Sequence, residues 1–288
     1  MAIIGTIKNN AGQETMIDPP LIAKIPDEFS AVKPFLEQNL LPYIAFDCES
    51  EGWIDSATDS DLLPPWATKL GGYPYLPKTM DYPKDPETDR FLMFLGQIDC
   101  ADVPDLQGFN FPKQGLLQFY TGYIVPMGEW GETQHHIRYF PEFSKDPETL
   151  ITDFSFLAEE RSFNNWYDQV YRLSFSIEQD VFFDYRTSTF PTFHPLDEPP
   201  ELEALWEEFY YEWFYEQSEH MALKGRGKVG GYPEVHSYVP ETLENAEGQL
   251  LLELDHPDDD GVFFYFFIDP AKLSQADFSE VSSYVVAS

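Results

Sequence analysis

Short apolar runs, rather than long amphipathic stretches, set the pattern of this chain, and the same arrangement of them occurs twice. Phe94-Leu95-Gly96-Gln97-Ile98-Asp99 and Leu251-Leu252-Glu253-Leu254-Asp255 each read as a strand that ends in an acid. Gly115-Leu116-Leu117-Gln118-Phe119-Tyr120 is answered by Gly261-Val262-Phe263-Phe264-Tyr265-Phe266-Phe267-Ile268, a glycine opening a run of β-branched and aromatic residues that favour extended structure. Ahead of each pair stands the same turn, Lys69-Leu70-Gly71-Gly72-Tyr73-Pro74 and Lys228-Val229-Gly230-Gly231-Tyr232-Pro233, displaced by 228 − 69 = 159 positions. The order of turn, strand, loop and strand is thus duplicated. The first copy has the longer loop, Cys100 to Gln114 against His256 to Asp260.

Other segments predict helices and loops around this framework. Phe29, Val32, Phe35 and Leu36 recur at helical spacing after Pro26, with a break near Pro42. From Pro200 to His220, Leu202, Leu205, Trp206, Phe209, Tyr210, Trp213 and Phe214 form one face while Glu203, Glu207, Glu208, Glu212 and Glu216 fill the other. His135-His136-Ile137-Arg138-Tyr139-Phe140 reads as a strand, Asp47 to Asp61 as an acidic loop, and 154–183 stays open between strand and loop. Residues 1–20 read as a loosely attached lead. The fold expected is α+β, with mostly antiparallel sheets from an internal duplication and a few packed amphipathic helices. Residues 1–65 form a lead and helix on the body, and 66–288 the duplicated domain, with repeats near 66–140 and 225–280 in one compact unit.

Composition narrows the function classes. There are 51 acids against 17 bases, a formal net charge of −34. Such a surface repels phosphate backbones, so no nucleic-acid partner is expected, whereas a basic protein partner is attracted. The longest apolar run, Val262 to Ile268, falls far short of the roughly 18 residues of a membrane helix, so no membrane is expected either. Aromatic residues make up 17% of the chain, which argues against acidic disorder. Two cysteines, Cys48 and Cys100, make no disulfide framework, and the first residues lack the apolar core of a signal peptide, so a cytoplasmic location is expected.

Candidate chemistry is sparse. The Gly-Gly-Tyr-Pro turns lack the contexts of phosphate loops and read as structural turns carried by Gly71, Gly72, Pro74, Gly230, Gly231 and Pro233. Cys48 and Cys100 both lie beside acids, which raise a thiol pKa. No histidine pair has zinc-ligand spacing. Asp255, Asp258 and Asp260 form a weak candidate for a hard cation such as calcium, and no metal or cofactor is otherwise expected. Asp99 and Asp255 occupy equivalent repeat positions. With Gln97, Glu253, Tyr73, Tyr232 and His236 they are the candidates for a groove between the repeats, where a small molecule or reaction would be housed.

The two Gly-Gly-Tyr-Pro turns, the segment Phe111-Pro112-Lys113-Gln114-Gly115-Leu116-Leu117-Gln118-Phe119-Tyr120, and Arg138-Tyr139-Phe140-Pro141-Glu142 with Asp153-Phe154-Ser155-Phe156-Leu157 together resemble the YwqG-like family, a bacterial domain of unknown function. The resemblance covers residues 66–280 and implies a duplicated, mixed α and β fold rich in antiparallel strands. It carries no established activity, though some members are associated with toxin and immunity loci. Where many relatives carry a Trp-Gly-Asp type segment, this chain has His256-Pro257-Asp258-Asp259-Asp260-Gly261. The leading expectation is an acidic interaction protein, of which a toxin-neutralising module is one form, with a pocket-bearing small-molecule protein or enzyme and a calcium-binding protein as alternatives.

Overall fold

In the computed structural model, the described residues are 6–8, 14–16, 21–38, 40–55, 59–122, 131–132, 134–158, 168–181, 205, 208–209, 212–213, 227–233, 246–255 and 262–287. The strands are β1 (Thr6–Lys8), β2 (Glu14–Met16), β3 (Leu40–Trp53), β4 (Lys69–Leu70), β5 (Met93–Asp99), β6 (Leu116–Thr121), β7 (Gly131–Glu132), β8 (His135–Phe140), β9 (Gln169–Val181), β10 (Gly227–Val229), β11 (Gln249–Asp255), β12 (Val262–Ile268) and β13 (Ser282–Ala287). Helices α1 (Leu21–Lys24), α2 (Lys33–Gln38) and α3 (Pro270–Ser274) are short. Asp269 starts α3 by accepting hydrogen bonds from the backbone N–H groups of Ala271 and Lys272, with Pro270 at the first helical position.

One 11-stranded sheet carries the body, in the order β7-β13-β12-β11-β10-β3-β9-β4-β5-β6-β8, and every pairing in it is antiparallel. Its two ends, β7 and β8, are separated in sequence only by residues 133–134. That link reaches no more than roughly 10 Å, so the sheet curls until its edges approach as a nearly closed barrel. Counted as one interrupted strand, β7 and β8 leave ten staves. The expected α+β fold with packed helices is therefore corrected to a mostly antiparallel β architecture.

Two segments account for that correction. Asp47 to Asp61, read as an acidic loop, instead contributes the second half of β3, a 14-residue strand. Ile44 and Phe46 are buried while Asp47, Glu49 and Glu51 are exposed, the period-two alternation of a half-buried strand. The open stretch 154–183 yields β9, of 13 residues, paired along the length of β3. Of the long helix expected over Pro200–His220, residues 205, 208 and 209 are helical and the remainder lies largely outside the described residues. Phe209 there is fully buried against Phe29, ring centroids 5.4 Å apart, in a satellite cluster with Ile22, Ile25, Val32 and Leu36. The N-terminal lead holds a two-stranded sheet of β1 and β2.

The sheet has an internal twofold pattern. Read outward from the centre, β3-β10-β11-β12-β13 on one side corresponds to β9-β4-β5-β6-β8 on the other. β10 meets β3 with Lys228 opposite Ala45, and β4 meets β9 with Lys69 opposite Arg172. Superposing Lys69 on Lys228 places Arg172 on Ala45 and Ser174 on Asp47, and Asp47 and Ser174 are themselves opposite each other. The pseudo-twofold axis passes through that pair. Each repeat lends its long leading strand to the other, β3 preceding β4 in sequence yet pairing β10, and β9 preceding β10 yet pairing β4.

The strands equivalent in the repeats share a β-bulge, between Phe94 and Gly96 in β5 and between Leu250 and Leu252 in β11. Gln97 pairs with Gln118, and Glu253 with Tyr265. Leu116 therefore corresponds to Phe263, so the matching of Gly115 with Gly261 is out by one residue, a slip that exchanges the two faces of the strand.

Candidate functional site

Both Gly-Gly turns adopt the left-handed conformation that favours glycine, with φ of +66° and +68° at Gly71 and Gly72, and +71° and +79° at Gly230 and Gly231. Pro74 and Pro233 are buried at their exits. In the first copy this turn wraps a carboxylate. Asp61 Oδ2 accepts from the Tyr73 N–H at 2.6 Å and lies 2.6 Å from Lys69 Nζ, while its Oδ1 accepts from the Leu63 N–H at 2.9 Å. The Lys69 side chain is fully buried. Burial pushes its ammonium below the usual lysine range, and the charge and hydrogen bond of Asp61 oppose that shift.

Next to this ion pair, two glutamines grip the chain that follows the turn. Gln97 Oε1 accepts from the Tyr75 N–H at 2.9 Å, and Gln97 Nε2 donates to the carbonyls of Pro65 at 2.7 Å and Ala67 at 2.8 Å. Gln118 Nε2 donates to the Tyr75 carbonyl at 2.8 Å and to Gln97 Oε1 at 3.0 Å, and Tyr120 donates to Gln118 Oε1 at 2.9 Å. Amide side chains, with both donors and acceptors, thus satisfy buried backbone on a covering loop that no strand pairs. Tyr73 stacks on Phe154 with centroids 4.5 Å apart, closing the cover from the other side.

The second copy solves the same problem differently. Lys228, with 11% of its side chain exposed, has its Nζ 4.0 Å from Glu253 Oε2 on the neighbouring strand and 5.3 Å from the centre of the Tyr43 ring. Glu253 stands where the first copy has Gln97. Tyr232 is half-buried, and Gly230 faces the Phe109 ring, so the long first-copy loop packs on the second-copy turn. His236, Asp258 and Asp260 lie outside the described residues.

Asp99 and Asp255 end β5 and β11 at equivalent positions, both partly buried. Asp99 acts locally: its Oδ1 accepts from the Ala101 N–H at 3.1 Å, and its Oδ2 lies 3.7 Å from Lys145 Nζ. Burial, followed by the charge of Asp99, pushes the adjacent Cys100 thiol up to about 12, which leaves it protonated at neutral pH. Inside the barrel, a cavity of about 10 Å³ lies between Leu70, Ile98, Phe119, Leu173, Leu252 and Leu254. It accommodates no more than a water molecule, whereas ligand pockets are larger by more than an order of magnitude. Among the described residues, no cluster of three or more His, Cys, Asp or Glu is arranged to hold a metal ion.

The exposed polar surface lies elsewhere, on the outward face of the β3–β9 ribbon. Asp47, Glu49 and Glu51 project from β3, and Arg172, Ser174 and Ser176 from β9, all exposed. Arg172 Nε donates to Glu51 Oε1 at 2.7 Å. Trp53, at the end of β3, pairs with Gln169 beyond the bulge and so belongs to the other face, where it is 52% exposed. On the acidic face, the register neighbours Lys69 and Lys228 are buried, so the covering layers begin at β4 and β10 and leave a channel between them. The alternation of Ile44 and Phe46 with Ala45, Asp47 and Glu49 was the available signal for this strand face, hidden by its acid density.

Residues 68–285 match the family described as Domain of unknown function (DUF1963). No curated protein matches the chain. Among the described residues, no helix is long and apolar enough to cross a membrane.

Proposed function

We propose that this chain, which belongs to the DUF1963 family, is a protein-interaction module that engages a basic protein partner through its acidic surface. One observation carries the reading: acids far outnumber bases, and seven bases among the described residues already pair with acids of this chain. Lys69, Lys84, Lys113, Lys145, Arg172, Lys228 and Lys272 each ion-pair with an acid of the same chain. Acids outnumber bases by 51 to 17, so these pairings leave a large negative surplus, with Asp27, Glu28, Glu37, Asp47, Glu49, Asp55 and Asp59 exposed. A field of one sign accelerates encounter with a partner of the other and repels phosphate-rich polymers.

The motifs shared with YwqG-like proteins, some associated with toxin and immunity loci, favour neutralisation of a toxic basic protein as the specific form of this activity. The test is retention of partners from native lysate by the tagged chain at low and high salt. A stoichiometric basic protein released by salt supports the reading, and relief of that protein's toxicity on co-expression supports the neutralising form. A folded bait that retains no basic protein at low salt overturns it.

A further inference from the structure

We propose that Arg138, on the outward face of β8, anchors a binding site for a small monocarboxylate whose apolar part rests on the neighbouring rings of Phe91 and Phe156. The site goes beyond the interaction reading above and stands independently of it. Lys69, Gln97, Gln118 and Arg138 are register neighbours on one face of β4, β5, β6 and β8. The first three have partners: Asp61 for Lys69, the backbone of Pro65, Ala67 and Tyr75 for Gln97, and Tyr75, Gln97 and Tyr120 for Gln118. Arg138 is only partly provided for. Its Nη2 donates to the Asp81 carbonyl at 3.1 Å, while Nη1 is shielded from water and has no hydrogen-bond partner. In a chain of 51 acids and 17 bases, no acid among the described residues pairs with this guanidinium. A shielded cationic donor without an acceptor is costly, so the chain keeps it for an acceptor that it does not itself supply. The duplicated fold does not demand a cation there: Arg138 pairs with Gln118, and at the equivalent place in the second copy Tyr284 pairs with Tyr265.

Charge and surroundings select the occupant. Partial burial, then the charges of Arg138 and His135, hold the His136 imidazole below its usual range, so this neighbour on the same strand face adds no charge at neutral pH. Lys84 lies 4.9 Å from the centre of the Phe91 ring but is already paired with Asp89. One uncompensated positive charge matches one carboxylate, and a net charge of −34 disfavours a dianionic phosphate. Tyr82 follows Asp81 in the chain, and its ring lies 5.6 Å from Phe91 and 5.7 Å from Phe156, which are 5.2 Å from each other. Tyr82 is buried, whereas Phe156 is 38% exposed and Phe91 half-buried, so the outer two rings offer apolar surface to a ligand. Arg138 as a whole is only half-buried, and rotation of its long side chain brings Nη1 to a ligand arriving from solvent.

The experiment titrates 3-phenylpropionate into the full chain at pH 7 and follows the side-chain ¹⁵N–¹H signals of its arginines by NMR. Saturable binding at about millimolar affinity, the scale of so small a ligand, should shift the Arg138 signals first. Arg138→Gln should weaken binding about tenfold, the loss of one charge-assisted hydrogen bond, and Lys84→Gln, an equal charge change at a neighbouring base, less than about twofold. Inorganic phosphate should bind about tenfold more weakly than the carboxylate. No saturable shift in the unaltered protein overturns the site, and this reading needs no variant to fold. Equal affinity of Arg138→Gln, with a thermal melt showing it folded, overturns the role of Arg138, and equal affinity for phosphate overturns the choice of a monocarboxylate. None of these outcomes bears on retention of a basic partner, so the two readings fail separately.

Discussion

The two repeats share a backbone and differ in how they house a buried lysine. Both have left-handed Gly-Gly turns, a lysine leading into them, a bulge at the same place in the next strand and the same strand neighbours. In the first copy the carboxylate comes from outside the repeated strands, as Asp61, and binds Lys69 at 2.6 Å. The strand position opposite the lysine is then free to be neutral, and Gln97 uses it to hold the covering loop. In the second copy the carboxylate sits on the strand itself, as Glu253, 4.0 Å from Lys228. Where the countercharge originates decides what the neighbouring strand can do. Shape is common to the repeats because it is set by backbone requirements; the polar interior is not, because several side-chain sets satisfy one buried ammonium.

The comparison breaks most directly at the countercharges. Asp61→Ala should destabilise the fold by about 3–5 kcal/mol in urea unfolding, since it strands a fully buried charge, and Glu253→Ala by about half as much. Equal losses would mean that the two lysines are held alike. Gln97→Ala should cost about 2–3 kcal/mol by removing bonds to Tyr75, Pro65 and Ala67. Asp61→Asn combined with Gln97→Glu moves the carboxylate to its second-copy position and sharpens the contrast: its loss should fall below the sum of the two single losses, measured as a double-mutant cycle.

Smaller effects are expected at the turns and with pH. Gly72→Ala should cost about 1–2 kcal/mol for its left-handed backbone, and more because the added methyl would lie 2.5 Å from Asp61 Oδ2. Gly230→Ala, whose nearest neighbour is the Phe109 ring at 3.3 Å, should cost less; thermal melts of the pair check the order. Burial lowers the Lys69 pKa from its ordinary 10.5, so between the lowered value and 10.5 the unfolded chain binds more protons. This group's contribution to stability therefore rises as pH climbs through that window, and its cost is fully present below it. Lys69→Met should flatten that rise in unfolding free energy on the approach to pH 10.5, by comparison with the unaltered protein.

Part of this structure was legible from local sequence. β12 and β8 begin and end where their apolar and aromatic runs do, and the paired turns announce themselves because two successive left-handed residues all but require glycine. The candidate Gln97 was legible as a polar strand residue in need of partners; its partners Tyr75, Pro65 and Ala67 were not, since a glutamine carries no local sign of which backbone it will meet. Asp61 gave no signal at all, one acid among many in an acidic stretch. β3 misled because three exposed acids on one strand face resemble a loop when its partner strand is unknown.

From sequence alone came the duplication, the turn conformation and the strands that bury both faces, because each follows from the steric and hydrophobic preferences of neighbouring residues. Tertiary structure alone decided that β3 pairs with β9, that each repeat borrows the other's leading strand, that the sheet curls until its ends approach, and that one channel stays uncovered. Those outcomes join residues more than a hundred positions apart, as Leu40 and Val181 are joined across the central ribbon. Such pairings are selected by the whole sheet closing over a shared core, a condition that no single window of the chain contains.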